Sequence, residues 1–234
     1  ANKVWMPTNL IDSLKVTVWF KLYRNIDGGL VEEVPGAAIK QLVFPVLTAT
    51  WTDLQKTDAN GKPYIFTVKE VDADGNDWKP DNFTKVEQGL TVTNTYTSPT
   101  SGVTANKVWM PAGLDPELKD PVTLELWRKI EGGTGAIAAT GLVDGVVDDP
   151  CGAEGCEETA WNYTWYDMPT HDENGFEYEY WVDETAVPEN FEKSLNGMTV
   201  TNTYASPDSD LTGTKVWMPA GLDPELKDPV TLEL

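Results

Sequence analysis

Apolar and polar residues alternate with a period of two along short stretches of this chain. Val16, Val18, Phe20 and Leu22 alternate with Thr17, Trp19, Lys21 and Tyr23. Val122, Leu124 and Leu126 alternate with Thr123, Glu125 and Trp127. A period of two marks a strand with one face in a core. Similar runs cover residues 64–70, 90–96, 178–184 and 198–204, and turn-forming segments separate them: DANG at 58–61, DADGND at 72–77, DENG at 172–175 and LNG at 195–197. No long segment carries helical periodicity. Short strands spaced by Gly and Asn turns predict an all-β sandwich.

The pattern occurs more than once. ANKVWMP stands at 1–7 and 105–111, TKVWMP at 214–219, and TVTNTY at 91–96 and 199–204. Residues 107–126 and 215–234 are identical. Lysine to lysine, the periods are 107 − 3 = 104 and 215 − 107 = 108. Solenoid units run to roughly 20–50 residues, so a period this long belongs to an array of independent domains. Two complete repeats are expected at 1–97 and 103–205, and the start of a third at 211–234, joined by the linkers TSPTSG at 97–102 and ASPDSD at 205–210. The third start should supply a first strand with Lys215 and a second strand ending at Leu234. Two strands bury no core alone, so this piece is expected to pack on the second repeat or to borrow strands from a neighbouring molecule. The chain opens on a repeat motif with no signal peptide, and it reads as a fragment of something longer.

Polar residues interrupt the apolar faces at matching places. Lys3 shares a face with Trp5, Glu70 with Phe66 and Val68, and Asn94 with Val92 and Tyr96. The second repeat has Lys107 with Trp109, Glu184 with Tyr180 and Val182, and Asn202 with Val200 and Tyr204. Each domain thus points one Lys, one Glu and one Asn inward. Burial beside a carboxyl lowers a lysine pKa and raises that of the acid, so the pair can exist as neutral amine and neutral acid. A neutral amine is a nucleophile, and the acid can move a proton to departing ammonia. The product is a Lys–Asn isopeptide bond, made feasible by the proximity that the fold supplies. A buried hydrogen-bond cluster without any bond would have the same composition, and a strand slipped by one residue would turn all three side chains outward.

Lys-x-Trp at the start, Y/F-x-V-x-E late and T-N-T-Y at the end resemble the Cna B-type repeat domains of Gram-positive collagen adhesins and pilins. The segments WTDLQKTDANGKPYIFTVKE and WYDMPTHDENGFEYEYWVDETAVP carry the resemblance through both repeats. It implies tandem Ig-like sandwiches of the reverse type. It also implies crosslinks from Lys3 to Asn94 and from Lys107 to Asn202, catalysed by Glu70 and Glu184, with Lys215 unpaired. Residues 134–160 depart from the pattern as an enlarged, Cys-bearing insertion.

Charge and chemistry narrow the function. The net charge of −21, from 38 acidic and 17 basic residues, makes nucleic acid and anionic membrane poor partners. No stretch is long and apolar enough to span a bilayer. Cys151 and Cys156, separated by four residues in CGAEGC, read as a local disulfide and hence an oxidising compartment. They are too few for zinc, with His171 the single imidazole. Asp72, Asp74, Asn76 and Asp77 resemble part of a calcium loop, but Gly75 is misplaced and Phe83 stands where the bidentate acid belongs, so a turn is the reading and no metal or cofactor is implied. An enzyme with turnover has little to work with. The expected role is an extracellular stalk segment at a Gram-positive cell surface, anchored through parts outside this chain, with neighbouring repeats as partners. The competing role is an adhesin module that binds host matrix protein or glycan through Trp19, Tyr23 and Trp127.

Overall fold

The computed structural model describes residues 1–145, 161–218 and 220–232. The first repeat contains β1 (Asn2–Met6), β2 (Val18–Ile26), β3 (Glu32–Glu33), β4 (Lys40–Leu42), β5 (Tyr64–Val71), β6 (Phe83–Gln88) and β7 (Thr91–Tyr96). The second contains β8 (Thr100–Met110), β9 (Val122–Lys129), β10 (Ala136–Val143), β11 (Asn162–Pro169), β12 (Glu179–Glu184), β13 (Phe191–Asn196) and β14 (Thr199–Tyr204). Each repeat is two facing sheets, so the all-β sandwich reading holds. In the first repeat one sheet runs β1-β7-β6, and in the other β2 pairs with β3, β4 and β5. In the second the sheets run β11-β8-β14-β13 and β10-β9-β12.

The opening strand pairs in parallel with the closing strand, β1 with β7 and β8 with β14. The first and last strands of each repeat therefore lie side by side, and the chain enters and leaves the repeat at opposite ends of that pair. The closing strand is delivered by a tight hairpin, with Gln88 opposite Thr91 and Asn196 opposite Thr199. Gly89 and Gly197 take the first loop position at φ +57, the left-handed geometry that a two-residue turn of this hand needs. The core lies between the sheets. Trp5, Val18, Phe20, Leu22, Val68 and Val92 fill it in the first repeat, and Trp109, Val122, Leu124, Leu126, Val182 and Val200 in the second.

The observed elements depart from the sequence reading in several places. β2 begins at Val18, and Val16 is exposed. The linker between repeats is shorter than TSPTSG, because Thr100, Ser101 and Gly102 already belong to β8, where Thr100 and Ser101 pair with β11. Part of the 134–160 insertion is regular structure, since β10 pairs along β9. Cys151 and Cys156 fall outside the described residues.

In the third repeat the expected strands are absent among the described residues. The 3-10 turn Pro224–Leu226 forms, but Leu211, Val216, Met218 and Leu232 are exposed. Packing on the second repeat is not what these residues do. The reason is topological: an opening strand pairs with a closing strand, and residues 211–234 contain no counterpart of TVTNTY. Lys215 lies over the Trp217 ring at 4.9 Å, a local contact that needs no sheet.

Candidate functional site

The two sheets bring together a lysine, a glutamate and an asparagine from distant parts of each repeat. Lys3 on β1 lies opposite Val92, and Asn94 lies two residues further along β7, so Lys3 and Asn94 face the same way from one sheet. Glu70 faces them from the other sheet, opposite Phe20 on β2. Lys3 is 3% exposed, and Glu70 and Asn94 are fully buried. Lys3 Nζ lies 3.0 Å from Glu70 Oε2, and Asn94 Nδ2 donates to Glu70 Oε1 at 2.7 Å. One carboxyl thus touches both reactants, one with each oxygen.

The second repeat reproduces this geometry. Lys107 Nζ donates to Glu184 Oε2 at 2.9 Å, and Asn202 Nδ2 donates to Glu184 Oε1 at 3.0 Å. All three residues are buried. Each lysine also caps its neighbouring tryptophan, at 4.1 Å from the Trp5 ring centre and 4.4 Å from that of Trp109. Among the described residues Asn94 Oδ1 and Asn202 Oδ1 are buried without a hydrogen bond.

Burial pushes the Lys3 amine down to about 8, although the adjacent Glu70 opposes the shift. Burial likewise lowers Lys107. A lysine near 8 supplies neutral amine at neutral pH far more readily than a solvated one. The arrangement permits a balanced reaction. The amine attacks Asn94 Cγ and loses a proton to Glu70 Oε2. A proton returns from the same carboxyl through Oε1 to Nδ2, the C–N bond of the amide breaks, and ammonia leaves.

The shift carries its own prediction. Asn94→Ala removes the electrophile but keeps Lys3 and Glu70. Between the folded value of about 8 and the ordinary value of 10.5, the unfolded chain binds the proton that the folded domain has released. Stability of this variant should therefore rise with pH across that window and be lowest below it. Urea unfolding at a series of pH values checks this, and the Lys3→Met/Asn94→Ala pair should lack the rise.

Four residues that sequence reasoning missed, Lys85 and Glu87 in the first repeat and Asp183 and Lys193 in the second, hold the glutamates' backbone in place. Lys85 Nζ donates to Glu70 O at 3.1 Å, to Trp78 O at 2.9 Å and to Asp77 Oδ1 at 2.6 Å, while Glu87 Oε1 accepts from Glu70 N at 2.8 Å. In the second repeat Lys193 Nζ donates to Glu184 O at 3.0 Å and to Asp183 Oδ1 at 2.6 Å, and that same oxygen accepts from Glu184 N at 2.7 Å. Both backbone polar groups of each glutamate are thus fixed by charged side chains, which limits how far its carboxyl can drift. The signal was in the repeat itself: N-F-x-K stands at 82–85 and again at 190–193.

The other candidates resolve differently. Asp72 Oδ1 accepts from Asp74 N and Asn76 N, both at 2.9 Å, so its carboxylate closes its own turn. Among the described residues no group of three or more His, Cys, Asp or Glu is placed to hold a metal. Trp19, Tyr23 and Trp127 are half-buried. Lys69 covers Tyr23 at 5.2 Å, and Trp127 stacks on Trp181 at 6.0 Å.

A family model for the Cna protein B-type domain matches residues 2–95 and 103–203. A collagen adhesin of Staphylococcus aureus is 34% identical over 219 residues, which cover 93% of this chain and 17% of that protein. Among solved structures, two B repeat units of the collagen binding protein of S. aureus match with a TM-score of 0.51 at 25% identity, covering 87% of this chain and 48% of that one.

Proposed function

The chain belongs to the Cna protein B-type domain family, and on that premise we propose that it is a structural stalk segment of a Gram-positive surface adhesin or pilus-like protein, each complete repeat closed by a Lys–Asn isopeptide bond. The bonds join Lys3 to Asn94 and Lys107 to Asn202, and they form once without turnover. The observation that carries the reading is where the triads sit. Lysine and asparagine lie on the opening and closing strands of one sheet, buried against one glutamate, twice in the same chain. A crosslink there ties the entrance of each domain to its exit. Neighbouring repeats are its partners. The aromatics of the adhesin-module reading favour that role less, since Tyr23 and Trp127 are engaged within their own sheets. No described helix is long and apolar enough to cross a membrane.

Intact mass tests the chemistry. The chain should be lighter than its sequence by two molecules of ammonia, Asn94→Ala should retain one bond, and the Asn94→Ala/Asn202→Ala pair should have none. The full sequence mass in the unaltered chain would overturn the reading.

A further inference from the structure

The two complete repeats touch through parts that occur in every repeat. The 172–175 turn of the second repeat sits on the 3-10 turn Asp12–Leu14 of the first. Ile11 N donates to Asn174 O at 2.9 Å, and a Cβ at Gly175 would run into Leu14 and Ile11. The linker is held by the strand leading into the same turn. His171 N donates to Ser98 Oγ at 3.0 Å, and Thr170 N donates to Pro99 O at 2.9 Å. The joint therefore has three parts: a Ser-Pro linker, a 3-10 turn ending in leucine, and an Asp-x-Asn-Gly turn.

Each part has a second copy without a partner among the described residues. The 58–61 turn of the first repeat is built as 172–175 is. Asp58 Oδ1 accepts from Asn60 N at 2.9 Å and Lys62 N at 2.8 Å, as Asp172 Oδ1 accepts from Asn174 N at 2.9 Å and Phe176 N at 2.8 Å. Gly61 and Gly175 share the left-handed backbone, at φ +80 and +89. Yet Gly175 is buried and Gly61 is exposed with nothing within 4 Å of its Cβ position. On the receiving side Leu14 is half-covered, whereas its counterpart Leu118 in the 3-10 turn Pro116–Leu118 is 39% exposed. Ser206 and Pro207 repeat Ser98 and Pro99. Leu118 is thus a surface for which the same chain contains the fitting shape.

We propose that this joint propagates along the array. The surface formed by Asp115–Leu118 with Ser206 and Pro207 receives the Asp-x-Asn-Gly turn of a following copy of the repeat. The exposed 58–61 turn is the matching plug for a preceding copy. Asp115 stands where Ile11 stands, so the next joint keeps its backbone donor and its leucine and has one apolar contact fewer. The consequence is a stalk whose domains are set at a fixed angle by short, repeated contacts. The inference rests on the stalk reading for its purpose but not on the crosslinks, so its failure would leave the mass measurements standing.

Two matched comparisons test it. In the chain as it stands, Gly175→Ala and Gly61→Ala strain equivalent turns, but only the first also strikes Leu14. Backbone residual dipolar couplings should report one shared alignment for the two repeats in the unaltered chain and in Gly61→Ala, and separate alignments in Gly175→Ala. The Ile11 amide should exchange about tenfold faster in Gly175→Ala alone. In the chain lengthened by appending residues 127–204 after Leu234, which completes the third repeat, the Asp115 amide should gain about tenfold protection and the Leu118 methyl signals should shift. Equal behaviour of the two glycine variants, or an Asp115 amide and Leu118 methyls unchanged by the added repeat, would overturn the proposal.

Discussion

Glu70→Gln is expected to restore one ammonia to the mass of the chain and to lower the melting temperature of the first repeat by roughly 20 °C or more, leaving the second repeat closed. Gln keeps the shape of Glu and can still accept from Asn94 Nδ2, so the packing of Val68 and Phe20 around it is retained. It cannot carry the proton from Nζ to Nδ2. Two losses follow. Closing a ring of 94 − 3 = 91 residues is worth about 4.6 kcal/mol on the chain-entropy model used for disulfides. Without the bond Lys3, 3% exposed, also regains an amine with no carboxylate beside it, and an uncompensated buried charge costs about 3–5 kcal/mol in comparable cases. At about 4–8 °C per kcal/mol for a domain of this size, the ring alone accounts for the stated shift. The Lys3→Met/Glu70→Leu pair separates the terms, because it removes both charges and the ring together. It should melt below the unaltered chain and above Glu70→Gln. Calorimetry resolves the two repeats, with Glu184→Gln giving the mirror result. A first repeat that melts unchanged in Glu70→Gln would refute closure by this residue.

The legible part of this fold was the part in which burial and apolarity agree. β2, β5, β7, β9, β12 and β14 alternate as their faces demand, and the triads stood out because a Lys, a Glu and an Asn broke that agreement at the same places twice. In three of the missed strands the pattern is inverted. In β6, Val86 points to solvent at 59% exposure while Lys85, on the other face, reaches in to Glu70 O. In β13, Leu195 is exposed while Lys193 reaches to Glu184 O. In β10, Leu142 is exposed while Gly141 is buried against Tyr163. A hydrophobic count reads such strands backwards or not at all. In β6 and β13 the lysines that invert it are the ones that brace the site, so these two strands and the overlooked lysines have one cause. The third start misled for another reason. Its sequence is identical to that of a real strand, but strand formation there depends on the parallel partner that closes the repeat, which no local pattern reports.

Pulled by its ends, the unaltered chain should extend without unfolding either complete repeat, whereas the Glu70→Gln/Glu184→Gln pair should release two domains in separate steps. β1 and β7 are parallel neighbours, so a pull on the two ends of the first repeat loads their ladder in shear. In the open domain that ladder is the barrier, and its failure frees the intervening chain. In the closed domain the load passes from the Lys3 side chain through the amide to Asn94, and residues between them carry none of it. The length at stake is large: 91 residues (94 − 3) at about 3.5 Å each extend by roughly 300 Å. The second repeat, with 202 − 107 = 95 residues in its ring, should give a step of similar size. Single-molecule force spectroscopy with handles at both ends separates the cases, since only the short stretch from Asn94 to Lys107 lies outside the rings between domains. Full-length steps from the unaltered chain would mean that the covalent path is absent. The repeats would then bear load only through hydrogen bonds and packing, and two buried Lys–Glu–Asn clusters would be left without the mechanical role that their place on the opening and closing strands equips them to fill.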